Sequence, residues 1–243
     1  QKVISVFVEG QGEQIFLRNL LFVLYDINKL SFKCIKLHAG LYEEAPYSYG
    51  DRITSDLHFT IINVENDEKV LSEIQKNETN ILKKPNAIII GLRDMYSRQY
   101  RKISSGIIDQ ETNKKFIEQY GKSISIMSKP DSISFHFAIM EVETWWLSMY
   151  TLFEKINPIL TVDYIYEKIG INLKEEDIEE CVFHPFIKLK QLMESIDKTY
   201  DKKYGEVEAI TSYITVNDIE SGISDNRCAS LYAFYSELRS FII

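Results

Sequence analysis

The sequence predicts an α/β fold in which a mostly parallel sheet is flanked by helices, with a mostly helical C-terminal part. Two observations support this prediction. Up to about residue 155, short apolar β-rich runs alternate with segments of helical periodicity, as in βαβ units. After about residue 156 the strand-like runs thin out and helical periodicity dominates. We therefore predict an α/β domain over residues 1–155 and a helical extension over 156–243 that packs on it.

The opening βαβ unit is the clearest part of the pattern. Residues 2–8 predict a buried strand, a helix follows from Glu13 to about Lys29, and residues 32–38 predict a second strand. Segment 40–56 is typical of a loop or insertion. Further strands are predicted at 57–64, 87–92, 122–127 and 133–140, and helices at 66–83, 111–120, 145–152, 186–198 and 226–242, with a solvated helix face at 173–180.

Composition narrows the class of protein. The chain has 243 residues, of which 45% are hydrophobic and 26% charged, and its formal net charge is −8. Proteins that only cover nucleic acid are normally basic, so this acidic chain does not fit that class. It remains compatible with an enzyme that holds metal cations on carboxylates and contacts phosphates through a local basic patch.

Localisation is indicated by the cysteines and by the distribution of apolar residues. Cys34, Cys181 and Cys228 lie far apart and form no metal-binding spacing, so we expect reduced, mostly buried thiols in a cytoplasmic protein. The apolar runs are shorter than the roughly 18 residues that a membrane span requires. The first residues form a strand pattern rather than a signal peptide, and we expect no membrane association.

Acidic residues follow three of the predicted buried strands. Glu9 follows the first, Asp94 follows the strand at 87–92, and Glu141 and Glu143 follow the strand at 133–140. Ligands of parallel sheets bind at the carboxyl ends of the strands. Mg²⁺ prefers oxygen ligands such as carboxylates. These four residues therefore predict a site for Mg²⁺ or Mn²⁺.

The pair Glu141 and Glu143 is open to a second interpretation. Residues two apart on a regular strand point to the same face, which suits metal ligation. An ordinary polar turn between a strand and a helix would show the same pattern. The combination with Glu9 and Asp94 is more specific than either segment alone.

A basic cluster with interleaved aromatic residues surrounds Asp94. Cations beside aromatic rings suit contacts with phosphates and bases, although a solvated loop paired with nearby acids would have the same composition. The residues predicted to bind nucleic acid are Arg93, Arg98, Arg101 and Lys102, with Tyr96 and Tyr100 between them.

Four segments resemble a known family. Residues 8–17, an apolar strand followed by Glu-Gly, two residues, Glu and an apolar helix, resemble the opening motif of TOPRIM domains. Such domains occur in topoisomerases, bacterial primases and nucleases of the overcoming-lysogenization-defect type. Residues 88–96, 137–147 and 227–238 are similar to the remaining motifs of a stand-alone TOPRIM-like family of unknown function.

The resemblance implies an activity and the residues that carry it. It implies a TOPRIM-like, Mg²⁺- or Mn²⁺-dependent phosphodiesterase that cuts DNA or RNA as a toxic effector of bacterial anti-phage defence. Glu9 and Asp94 would be the catalytic residues, with Glu9 as general acid or base. The metal would be held by Glu9, Asp94, Glu141 and Glu143.

The sequence departs from the TOPRIM pattern at two places. Leu92 stands where the first aspartate of Asp-x-Asp is expected, and the Gly-x-Pro expected after Asp94 is absent. An alternative is therefore a catalytically degenerate module that binds nucleic acid or a nucleotide and works with a partner ATPase. Nucleotidyl transfer of the primase type and a homodimer are further expectations.

Overall fold

The computed structural model describes residues 1–66, 68–104 and 106–242. In that part of the chain the strands are β1 (Lys2–Val8), β2 (Leu30–His38), β3 (Leu41–Glu44), β4 (Leu57–Asn63), β5 (Ala87–Asp94) and β6 (Ile133–Ala138). The helices are α1 (Gln11–Leu24), α2 (Lys69–Ile81), α3 (Arg98–Ile103), α4 (Gln110–Ser125), α5 (Glu143–Ser148), α6 (Phe153–Ile156), α7 (Val162–Ile169), α8 (Ile178–Cys181), α9 (Pro185–Glu194), α10 (Tyr204–Thr211), α11 (Val216–Ile223) and α12 (Ala229–Arg239). Short 3₁₀ turns lie at Pro130–Ser132, Tyr150–Leu152 and Ser224–Asn226.

The strands form one sheet in the order β3-β2-β4-β1-β5-β6. β1 pairs in parallel with β4 and β5, and β2 pairs in parallel with β4. β3 runs antiparallel to β2 at one edge. The predicted fold class is confirmed: the sheet is mostly parallel, helices flank it, and the C-terminal part is helical.

The central strands are continuous apolar runs because helices cover the sheet. On one face, Val70 and Ile74 of α2 and Ile124 of α4 join a core that includes Phe7 of β1 and Ile89 of β5. Removal of this apolar surface from water is the main stabilising contribution to such a core.

The chain divides into two compact units. The first, called here the sheet unit, comprises Gln1–Gln14, Tyr25–Arg93 and Glu111–Phe137. The second, the helical unit, comprises Ile15–Leu24, Asp94–Gln110 and Ala138–Ile243. Residues 138–155 thus group with the C-terminal helices, and the domain boundary at residue 155 stays a prediction.

Two tryptophans are at the centre of the helical unit. Trp145 and Trp146 are both fully buried. Trp145 stacks on Phe234 with ring centroids 5.2 Å apart, and Phe16 lies 6.0 Å from Trp145 and 5.9 Å from Trp146. These rings hold α1, α5 and α12 together.

Three predicted elements differ from the structure. The predicted strand at 122–127 is wrong, because α4 continues to Ser125. Its alternating Ser and Ile residues imitate a strand, but Phe116 and Ile124 are buried at helical spacing. Segment 40–56 contains the edge strand β3, and in segment 173–180 only the part from Ile178 onward is helical.

The cysteines and the helix lengths bear on the remaining expectations. Cys34 and Cys228 are buried free thiols as predicted, whereas Cys181 is exposed. Across the described residues, every helix is too short or too polar to cross a membrane.

Candidate metal centre

Asp94 is the last residue of β5 and is 5% exposed. Beyond it the chain stays beside the end of β6 and the residues that follow, since Met95 N donates to Ala138 O (2.9 Å) and Tyr96 N donates to Met140 O (2.8 Å). Val142 N donates to Asp94 Oδ1 at 2.8 Å. These backbone contacts bring Asp94 to the turn that carries the other two acids.

The turn after β6 places Glu141 and Glu143. The strand ends at Ala138, and Met140 has φ +62°, the left-handed region that non-glycine residues rarely adopt. Thr144 Oγ1 then donates to Ile139 O at 2.7 Å, and α5 begins at Glu143. Of the two interpretations of this pair, the structure has the turn between a strand and a helix, and not a regular strand with both glutamates on one face.

The structure brings three of the four predicted ligands together. Asp94, Glu141 and Glu143 each offer a carboxylate oxygen, and these oxygens lie within 4.8 Å of one another. Glu143 is fully buried, and the side chain of Glu141 is 13% exposed. Carboxylates this close repel one another unless a cation or a proton offsets their charge.

Groups from the C-terminal helices surround this carboxylate cluster. Lys202 Nζ lies 2.9 Å from Glu143 Oε2 and 3.7 Å from Glu141 Oε1. The buried Tyr200 hydroxyl donates to Glu143 Oε1 at 2.7 Å, and Phe186 N donates to Glu141 Oε2 at 2.9 Å. Each of the three carboxylates therefore accepts a hydrogen bond from an N–H or O–H donor on at least one oxygen, and Glu143 does so on both.

The electrostatics of the cluster favour a cation. Burial raises the pKa of Glu141; the Lys202 charge lowers that pKa in part, and the neighbouring Glu143 charge raises it again. A divalent cation would relieve both the desolvation and the repulsion. The three carboxylates offer the oxygen ligands that Mg²⁺ and Mn²⁺ prefer. The residues present therefore fit such a metal ion.

Glu9 belongs to the sheet unit and directly follows β1, where it is half-buried. It lines a cavity of about 600 Å³ with, among others, Gln14 and Lys36. Gln14 Nε2 donates to Ile35 O and Ile61 O, both at 3.0 Å, which fixes the start of α1 across β2 and β4. The role of Glu9 as catalytic residue and fourth ligand stays a prediction.

The basic residues predicted to bind nucleic acid fall into two groups. Arg98, Arg101 and Lys102 are exposed on α3 in the helical unit. Arg93 is only 3% exposed, and its guanidinium lies 5.5 Å from the Tyr120 ring centroid and 5.8 Å from that of Phe137. Arg93 therefore serves packing in the sheet unit, and its burial does not support a phosphate contact.

Sequence reasoning missed Lys202 and Tyr200. They lie 59 and 57 residues beyond Glu143, between α9 and α10. A lysine in a polar segment is usually solvated, so no local pattern marked it. Only the packing of the helical unit places it beside the acids.

Fold and site together define a class: an α/β protein with a carboxylate cluster able to hold a metal ion. The chain matches no protein-family model, no curated protein and no solved structure.

Proposed function

We propose that this chain is a Mg²⁺- or Mn²⁺-dependent nuclease that acts on DNA or RNA. The observation that carries the proposal is the cluster of Asp94, Glu141 and Glu143, whose ligand oxygens lie within 4.8 Å of one another. Backbone N–H groups orient two of the carboxylates. Carboxylates, together with phosphate oxygens of the substrate, are the usual ligands of Mg²⁺ in sites of phosphoryl transfer and phosphodiester hydrolysis.

Each residue of the centre has a role in this proposal. Asp94, Glu141 and Glu143 would hold the metal ion, which supplies Lewis acidity and neutralises phosphate charge when bound. The Lys202 ammonium, 35% exposed beside the cluster, would stabilise negative charge on a phosphate. Glu9 would accept or donate the proton as general base or acid, a role that rests on the TOPRIM-like resemblance.

Substrate and setting extend the proposal. The exposed charges of Arg98, Arg101 and Lys102 would contact the phosphate backbone. Free thiols suit a cytoplasmic protein. A role as an effector of anti-phage defence is part of the proposal and rests on the family resemblance.

The test is cleavage of plasmid DNA, single-stranded DNA and tRNA with Mg²⁺, Mn²⁺ or EDTA. Wild type should cut at least one substrate with metal and none with EDTA. Asp94→Asn and Glu143→Gln should each lose at least about 100-fold in rate, since each replaces a negatively charged ligand by a neutral amide. Glu175→Gln, an exposed glutamate of the same unit, is the control and should cut normally.

A second candidate is a catalytically degenerate module that binds nucleic acid or a nucleotide with a partner ATPase. The Lys202 ammonium within 2.9 Å of Glu143 favours it, because a built-in cation offsets the acids without a metal. Calorimetric titration of metal-free protein with Mn²⁺ separates the two. Failure to bind Mn²⁺ at millimolar concentration, with nucleic-acid binding intact in EDTA, would establish the degenerate module and exclude the nuclease.

A further inference from the structure

Three aromatic side chains pack against one another in the helical unit. The ring centroids of Tyr96 and Phe183 are 5.6 Å apart, those of Tyr96 and His184 5.3 Å, and those of Phe183 and His184 4.6 Å. All three pairs are edge-to-face, a favoured geometry for aromatic rings. The three side chains are only partly buried, so this aromatic cluster reaches the protein surface.

Both segments of the aromatic cluster are attached to the carboxylate cluster. Tyr96 lies two residues beyond Asp94, and its N–H donates to Met140 O, next to Glu141. Phe183 and His184 immediately precede α9, whose Phe186 N donates to Glu141 Oε2 at 2.9 Å. The backbone of each segment is therefore hydrogen-bonded to the turn that carries Glu141 and Glu143.

Positive charge borders the same rings. The Arg101 guanidinium lies 5.6 Å from the Tyr96 ring centroid, within the range of a cation–π contact. Arg98 and Lys102 are exposed on the same helix, in a chain whose net charge is −8. Local cations in an acidic protein are complementary to a phosphate backbone.

We propose that the aromatic cluster and the cations of α3 bind single-stranded nucleic acid. Unpaired bases stack on side-chain rings, while the bases of a duplex are stacked on each other and unavailable to them. The substrate class of the neighbouring carboxylate centre is then a single strand. That last step rests on the proposed nuclease function, whereas the binding itself does not.

The experiment measures binding in EDTA, where no metal-dependent cleavage occurs. Fluorescence anisotropy compares a labelled oligonucleotide of about 20 nucleotides as single strand and as duplex. Wild type should bind the single strand about tenfold more tightly. Phe183→Leu should weaken single-strand binding about fivefold or more, because a base loses the ring on which it stacks. Phe183→Tyr keeps the ring and should bind like wild type.

A control variant distinguishes the loss of stacking at the aromatic cluster from the loss of an aromatic ring elsewhere on the surface. Tyr232 is 58% exposed on α12, and Tyr232→Leu should leave binding unchanged. Circular dichroism and thermal unfolding verify that each variant is folded. Equal affinity for the two forms, no binding of either, or equal affinity of Phe183→Leu and wild type would each overturn the inference. Single-strand binding without cleavage under any metal would instead overturn only the nuclease.

Discussion

At the scale of single residues, Lys202 decides how the acidic centre is stabilised without a metal. Its ammonium contacts two of the three carboxylates, and one of them, Glu143, is fully buried. Removal of one partner of such a contact leaves charge that is desolvated and unpaired, which costs more than the contact itself contributes. The same lysine competes with any metal ion for these oxygens.

Lys202→Ala should therefore destabilise the metal-free protein and increase its response to metal. In EDTA we expect the free energy of unfolding to fall by about 1–3 kcal/mol. The effect is smaller than for a fully buried ion pair because Lys202 is partly exposed. Added Mn²⁺ should raise the melting temperature of the variant by more degrees than that of wild type. Thermal unfolding with and without Mn²⁺ measures both quantities.

The control for this prediction is Lys198→Ala, which removes an exposed lysine four residues earlier. It should match wild type in both conditions. If Lys202→Ala is as stable as wild type in EDTA, the ammonium is not what offsets the charge of the cluster.

His58 in the sheet unit gives the protein a pH dependence. It is 5% exposed, and its Nδ1 lies 2.8 Å from Ser31 Oγ. Burial lowers the pKa of His58 to about 4 from its ordinary 6.5, with nearby positive charges adding to the shift. The folded chain therefore binds fewer protons than the unfolded chain between these two values.

The contribution of neutral His58 to the free energy of unfolding should consequently be fully present above about pH 6.5 and should fall as the pH drops towards 4. Between pH 7 and pH 5, the protonation of His58 should lower the free energy of unfolding by about 1–2 kcal/mol, allowing for solvent screening. Urea unfolding at the two pH values measures it. His58→Asn should show a smaller difference between pH 7 and pH 5, and an unchanged difference would contradict the assignment to His58.

At the scale of elements, the strands followed from the sequence better than the connections did. Apolar runs such as those of β1 and β5 are predictable because burial on both faces demands them. The turn after β6 was not, because Met140 carries a left-handed φ without the glycine that normally signals it. The end of α4 was misjudged because two periodicities overlap in its last residues.

Gly91 shows how closely two strands and a helix approach one another. It lies in β5 opposite Phe7 of β1, and a Cβ there would come within 2.4 Å of Phe135 Cδ2 and 2.9 Å of Ile74 Cδ1. Gly91→Ala should destabilise the protein by about 1–3 kcal/mol through overpacking. Denaturant unfolding measures the change.

Gly121→Ala is the matched control because the same methyl is added in the same unit. Gly121 lies within α4, where a Cβ meets no atom within 4 Å, and alanine is the better helix former. This variant should gain up to about 1 kcal/mol. If both substitutions change the free energy of unfolding equally, the close contacts around Gly91 are not the cause of the destabilisation by Gly91→Ala.

At the scale of the whole molecule, the candidate centre is assembled from distant segments. Val142 N and Asp94 lie 48 residues apart in sequence, and Tyr200 and Glu143 lie 57 apart. Strand-end geometry predicted that Glu9, Asp94, Glu141 and Glu143 converge, and the last three lie together in the structure. It could not predict Lys202, Tyr200 or the Phe186 N–H, because the packing of helices far along the chain brings them there.

Three close carboxylates repel one another in the metal-free protein but stabilise a bound cation. Replacing one of them should therefore leave the melting temperature unchanged or higher without metal, and lower the stabilisation gained when metal is added. Asp94→Asn keeps an oxygen to accept the Val142 N–H and removes one charge. In EDTA its melting temperature should equal or exceed that of wild type. In Mn²⁺ at about 100 times the dissociation constant, wild type should gain about 2.7 kcal/mol, or about 5–10 °C, and the variant should gain far less. A variant that melts well below wild type in EDTA and shows the full Mn²⁺ shift would mean that Asp94 is a structural acid rather than a metal ligand.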